Sequence, residues 1–354
     1  MKHNRLLVLL AVIPFLLLAA CGTSEGASGE KASEQPDLSQ EEMEQFENLA
    51  AKFDPLGEMP IPEDNPMTEE KVELGRILYF DTRLSGDNLQ SCASCHAPAL
   101  GWSDGRSLFI GFEGEEGPRR SPTIINSGYY TSNFWDGRAD SLEEQALGPI
   151  TSPIEMNQDL DELVEELKAV DAYVEMFDEA FDEEITAENI AKALAAFERT
   201  IVVDDTPFDQ FLEGDYHAMT EDEIRGMELF AGEANCLSCH NGPNLSDNNF
   251  YNIGMDSGDE GRMEITDNES DDGAFRTPGL YGIAHHAPYM HDGSLETLED
   301  VIDYYNHGGD NHPNKSPKMQ ELNLSDDDKD ALLAFLLVLS GDESPRVDMP
   351  EIPE

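Results

Sequence analysis

The sequence predicts a mainly α-helical protein built from two helical domains. Three observations lead there. Apolar residues recur at helical spacing behind capping residues, no segment alternates as a strand would, and one short pattern occurs twice. A chain of 354 residues is also long enough for about two domains.

The elements follow in order. Lys2, His3 and Arg5 precede an apolar run from Leu6 to Leu18, and Leu18-Ala19-Ala20-Cys21 follows. Residues 1–20 read as a secretory signal peptide, with Cys21 as the lipidated first residue of an exported lipoprotein on the periplasmic face. A plain signal peptide and a retained anchor helix are the alternatives, and each also puts the folded part outside the cytoplasm. Residues 21–45 form a flexible tether rich in Gly, Ser and Glu. Thr68 caps a helix with Glu69 and Glu70 in its first turn, running to Phe80. Leu160, Leu163, Val164 and Leu167 share one helical face, and Ile190, Leu194 and Phe197 share another behind Thr186. Thr220-x-x-Glu223 is a capping box that opens a helix with Ile224, Met227 and Phe230 inside. Ser325 opens the last helix, rich in leucine from Leu332 to Leu339. No later run is long and apolar enough to span a membrane.

The repeated pattern carries the chemistry. Gly75-Arg-Ile-Leu78-Tyr-Phe leads into Cys92-Ala-Ser-Cys95-His96, and Gly226-Met-Glu-Leu229-Phe leads into Cys236-Leu-Ser-Cys239-His240. Two thiols at this spacing add across the vinyl groups of one haem, and the adjoining His lies under its iron. A zinc ribbon needs its cysteine pairs much closer together, and a redox Cys-x-x-Cys pair does not need His directly after it. With Cys21 assigned to lipid, no cysteine remains for a structural disulfide. The fold class is therefore two cytochrome-c-like helical domains, each around one covalently bound c-type haem. Their expected limits are 46–207 and 208–345, with a tail at 346–354.

The formal charge is −54, from 75 Asp and Glu against 21 Lys and Arg. Such a surface repels nucleic acid and anionic lipid, so neither is a partner; the membrane is reached only through the lipid anchor. Adaptation to high salt and steering of a basic electron-donor protein both fit this charge.

With both haem sites placed, the chain from about Pro55 to Leu339 resembles the bacterial di-haem cytochrome c peroxidase family, including its MauG-type branch. The resemblance rests on ordered blocks. They include Gly117-Pro118-Arg119-Arg120-Ser121-Pro122-Thr123, Phe134-Trp135-Asp136-Gly137-Arg138 and the stretch from Pro149 to Met156. Phe275-Arg276-Thr277-Pro278 and Ala287-Pro288-Tyr289-Met290-His291-Asp292-Gly293 complete them.

The resemblance implies that the N-terminal haem, with His96 as its axial ligand, takes hydrogen peroxide. The C-terminal haem, with His240, passes electrons. Glu155 matches the family's distal acid, and heterolysis of peroxide needs such a group to carry a proton from the near oxygen to the leaving one. Trp135 matches the tryptophan that lies between the haems and relays electrons. A small cytochrome c or cupredoxin, or a protein substrate, would supply the electrons. The rival readings are reductive activation of a conventional peroxidase, MauG-like oxidation of a protein, and a non-enzymatic di-haem electron carrier.

Three departures matter. Many family members block the first iron with a second His, and Phe112 stands at that position here, which implies an open site in the resting ferric state. The Met that ligates the second iron is replaced by Tyr305. That residue shares a helical face with Leu298, Val301 and Ile302, while Met319 is the alternative ligand. The family also often holds Ca²⁺ between the domains. Here Arg120 takes the place of its Asn ligand, and His286 and Pro288 fall at its carbonyl positions, so calcium is doubtful. The acidic run from Asp256 to Asp272 lacks the order of a calcium loop and reads as a solvated loop.

Overall fold

The computed structural model describes residues 38–354. The signal segment, Cys21 and the first part of the tether lie outside the described residues. The described chain is mainly α-helical. In order the helices are α1 (Gln40–Ala50), α2 (Glu69–Phe80), α3 (Cys92–Cys95), α4 (Leu142–Thr151), α5 (Leu160–Lys168) and α6 (Asp171–Phe181). Then come α7 (Ala187–Glu198), α8 (Pro207–Leu212), α9 (Glu221–Ala231), α10 (Met263–Thr266), α11 (Leu298–Asn306) and α12 (Asp326–Val338). One small antiparallel sheet pairs β1 (Phe250–Tyr251) with β2 (Phe275–Arg276), Phe250 opposite Arg276. Among the described residues no helix is long and apolar enough to cross a membrane.

The helices begin where the capping residues stand. Thr68, Thr186, Thr220 and Ser325 each accept a hydrogen bond from the backbone three residues on, which satisfies a donor the helix itself cannot. Two crossings then organise two lobes. In the first lobe α2 packs on α7, and in the second α9 packs on α12. Each crossing turns on a glycine. A Cβ on Gly75 would lie 1.9 Å from the Ala193 carbonyl oxygen, and one on Gly226 would lie 2.0 Å from that of Ala331. This is the physical content of the repeat that precedes each Cys-x-x-Cys-His unit: the backbones touch, so the motif downstream is placed against a fixed helix pair.

Both ends of the described chain reach across to the other lobe. The tether expected to reach residue 45 gives way at Gln40, because Ser39 and Glu42 close a capping box that starts α1. Phe46 of α1 then packs edge-on against Phe211, and Phe53 packs against Phe208, Phe230 and Phe335 of the second lobe. At the other end, the tail at 346–354 runs along the first lobe. The carbonyls of Pro345, Asp348 and Pro353 accept hydrogen bonds from Trp102, Arg76 and Arg83 respectively. Residues 38–354 accordingly form one compact unit.

Replacing either crossing glycine tests the fold. Gly75→Val and Gly226→Val each drive a side chain into backbone, and each is expected to cost at least about 2–3 kcal/mol. Chemical denaturation of the haem-loaded protein reads the loss; an unchanged midpoint would mean that the helix pairs do not close as described.

Candidate active site

Two cavities mark the site. The first, of about 720 Å³, is lined by Cys92, Cys95 and His96 together with Glu155 and Trp135. The second, of about 210 Å³, is lined by Cys236, Cys239, His240 and Tyr305. Nδ1 of His96 lies 2.9 Å from the Pro122 carbonyl oxygen, and Nδ1 of His240 lies 3.0 Å from that of Leu245. A carbonyl can only accept, so each Nδ1 carries the proton and each Nε2 keeps a free lone pair. That is the tautomer a metal ligand needs. Burial lowers the pKa of both imidazoles and keeps them neutral. Tyr79 further pins the first motif by donating to the His96 carbonyl at 2.9 Å.

Among the described residues the four cysteines form no disulfide. Burial pushes the Cys95 thiol up to about 11 and the Cys236 thiol up to about 12, so neither behaves as a reactive redox thiolate. The cavity walls also leave buried polar atoms without partners, among them Ser127 Oγ, Asn133 Nδ2, Arg120 Nε, Arg276 Nε and both ring nitrogens of His286. Folded proteins rarely leave such atoms unpaired. Paired thiols, a neutral imidazole with a free Nε2, apolar walls and unpartnered polar atoms fit a haem, which has an apolar face and carboxylate-bearing edges.

Five residues line both cavities and so form the wall between them: Arg120, Trp135, Arg276, Pro278 and His286. Trp135 is oriented there by its indole N–H, which donates to the Arg120 carbonyl at 2.9 Å. Glu155 follows α4 and lines the first cavity. Burial raises its pKa, against weaker lowering by Ser152 and Arg138. A second carboxyl went unnoticed in the sequence. Glu198, the last residue of α7, is buried against the first cavity, and burial pushes it up to about 8, with Glu143 adding to the rise and Arg199 opposing it. Nothing in its local pattern separates it from an ordinary helix-end glutamate.

Tyr305 lines the second cavity, whereas Tyr304 turns its hydroxyl to the Ile253 carbonyl at 3.3 Å. Burial, with the Cys236 and Cys239 thiols adding to it, raises the Tyr305 pKa well above the usual phenol range. Met319 reaches the same cavity, and so do Met255 and Met290, which sequence reasoning did not single out.

One expectation is corrected, and the surroundings of two further positions are defined. Near Phe112, Phe109 lines the first cavity and Gly111 lies against the Ile154–Glu155 turn. A Cβ at Gly111 would lie 2.0 Å from the Ile154 carbonyl oxygen. The imidazoles that line this cavity are His96 and His286. The acidic run, expected to be a solvated loop, is the correction: Ser257, Gly258, Asp259, Glu264 and Ile265 line the first cavity. Arg119 draws this loop in, bonding Asp259 at 2.6 and 2.7 Å and Glu264 at 3.0 Å while also pairing with Asp136. Arg120 stands where the resemblance puts the calcium-ligating Asn, and its guanidinium faces inward. Its Nη2 donates to the His286 carbonyl, one of the oxygens a calcium ion would need, and to Ser103 Oγ at 3.0 Å.

The chain is similar to known proteins over most of its length. Residues 69–217 match the di-haem cytochrome c peroxidase family, and residues 224–340 match cytochrome c. The chain is 40% identical to the methylamine utilization protein MauG of Methylorubrum extorquens, over 97% of this chain and 99% of that one. It is 39% identical to the cytochrome-c peroxidase IdrP1 of Denitromonas iodatirespirans, over 86% and 91% of the two chains. Among solved structures, a MauG-like protein associated with microbial copper homeostasis superposes with a TM-score of 0.76 at 35% identity, covering 81% of this chain and 93% of that one. The chain belongs to the bacterial di-haem cytochrome c peroxidase family, which takes in the MauG-type proteins. It is an oxidoreductase of peroxidase type that carries two c-type haems.

The attachment residues are tested by counting haem. Cys92→Ala with Cys95→Ala, and separately Cys236→Ala with Cys239→Ala, should each lower covalent haem from two per chain to one by the pyridine haemochrome assay. Two haems retained in either variant would contradict the assignment.

Proposed function

We propose that this protein reduces hydrogen peroxide in its first cavity with electrons delivered through its second, and that the fully ferric protein reacts without prior reduction. The overall step is H₂O₂ + 2H⁺ + 2e⁻ → 2H₂O. When bound, each haem supplies an iron that exchanges single electrons, and the first supplies the place where peroxide binds. Cys92 and Cys95 would tether that haem and His96 would ligate it through Nε2. Cys236, Cys239 and His240 would do the same in the second cavity, with Tyr305 as the further ligand and Met319 as the alternative. A phenolate is hard and anionic, so Tyr305 would favour the oxidised state of that centre.

The chain's own groups then manage protons and water. The Glu155 carboxylate takes a proton from the near oxygen of peroxide and returns it to the leaving oxygen. Its raised pKa suits both halves of that transfer near neutral pH. The loop latched by Arg119 to Asp259 and Glu264 covers the cavity and limits bulk water there. Trp135, held by its N–H in the wall between the cavities, carries electrons across it.

The single observation that carries the reading is the meeting of Glu155 and His96 in one cavity whose wall, through Trp135, is shared with the second. The electron donor is a small cytochrome c or cupredoxin, met on the periplasmic face where Cys21 anchors the chain by lipid. A second reading draws on the 40% identity to a MauG protein along nearly the whole chain: the electrons would come from side chains of a protein substrate.

Stopped-flow mixing of the ferric, haem-loaded protein with a slight excess of peroxide tests this. Both Soret bands should change within the first turnover, and Glu155→Gln should slow that change by about 10²–10⁴-fold. A protein silent until one electron is supplied would be a reductively activated peroxidase, and one silent even then would be an electron carrier.

A further inference from the structure

Cations are scarce in this protein, yet two of them are buried in the wall between the cavities without a carboxylate partner. Arg120 is 3% exposed and Arg276 is 7% exposed. Among the described residues neither forms a salt bridge, and Nε of each has no hydrogen-bond partner. The neighbouring Arg119 shows the contrast. It is gripped by Asp136, Asp259 and Glu264; burial works against its charge, but Asp259 and Asp136 outweigh it and hold its pKa above the usual guanidinium value, whereas burial pulls Arg120 down to about 10.

Arg120 is also fixed from several sides. Its backbone N–H donates to the His291 carbonyl at 2.8 Å and its carbonyl accepts from Trp135. Its Nη2 bonds Ser103 in the first lobe and the His286 carbonyl in the second. The His286 ring beside it is buried, with both nitrogens unpartnered, and burial and the Arg120 charge push it down to about 3, so it stays neutral with one N–H to donate. Arg276 lies with its guanidinium carbon 3.5 Å from the centre of the Tyr130 ring. A buried guanidinium needs a counter-charge, and its planar fork matches a carboxylate. The described residues do not supply one, and both cavities open on these same side chains.

We propose that Arg120, with Arg276 and His286, is a carboxylate-binding centre shared by the two cavities, that its ligands are the propionate groups of both haems, and that its charge sets the two reduction potentials together. The claim needs haem in both cavities but not the peroxide chemistry, so it stands or falls separately from the catalytic reading. A fixed cation favours the state with the extra electron on either side of the wall. Since one charge group serves both centres, reduction of one haem alters the neutralisation available to the other.

The test is a spectroelectrochemical titration of the haem-loaded full chain. Arg120→Gln should move both midpoint potentials to more negative values, and Arg120→Lys, which keeps the charge, should restore most of the shift at both. Movement at one haem alone, or at neither, in a variant that retains two haems would overturn the proposal. A second measurement needs no variant and decides the matter if Arg120→Gln fails to load haem. Redox-difference infrared spectra of the unaltered protein, made with ¹⁵N-labelled arginine, should show isotope-sensitive guanidinium bands at the reduction of each haem. Their absence at either step would overturn the shared centre.

Discussion

The hydrogen bond from His96 Nδ1 to the Pro122 carbonyl, matched by that from His240 to Leu245, is the constraint on which the rest depends. It fixes which ring nitrogen carries the proton, and so which one faces each cavity. The acceptors come from irregular chain, not from helices, which explains why long loops are kept beside a helical frame. Those loops are themselves held by the frame: Tyr79 of α2 bonds the His96 carbonyl, and the glycine crossings set how closely α2 and α9 pack on their partner helices. Helix packing, loop course and ligand orientation are thus one chain of cause.

The acidic surface gives the few cations unusual weight. Arg119 spends its charge on three carboxylates, and one consequence is that a loop from the second half of the chain closes over the first cavity. Arg199 pairs with Glu143 and leaves the adjoining Glu198 to face the first cavity with a raised pKa. Arg120 and Arg276 keep their charge for whatever enters the cavities. Charge placement, more than total charge, separates structural arginines from those that serve the cofactors.

Much of this was legible in the sequence because its signals are local. Capping residues marked the helices, and the Cys-x-x-Cys-His units marked both attachment sites within five residues each. The helical face of Leu298, Val301 and Ile302 was enough to turn Tyr305 inward. What escaped was set by distant partners. Asp259 is 140 positions from the arginine that draws its loop over the cavity, so the run looked like any solvated acidic segment. The crossing of the termini depends on Phe46 and Phe53 meeting aromatic rings of the far lobe, and on Trp102 reaching Pro345. Phe109 in the first cavity also escaped, since its loop is shaped by the close approach of Gly111 to the Ile154 carbonyl, far along the chain.

The central claim is that each lobe completes its core around a covalently held haem. Thermal unfolding, followed by near-ultraviolet circular dichroism, compares the haem-loaded chain with the same chain produced without haem attachment. The account predicts a cooperative transition for the loaded protein and no comparable transition for the haem-free chain, since the two cavities then lose the ligand that joins their walls. A haem-free chain that unfolds cooperatively at the same temperature would contradict it.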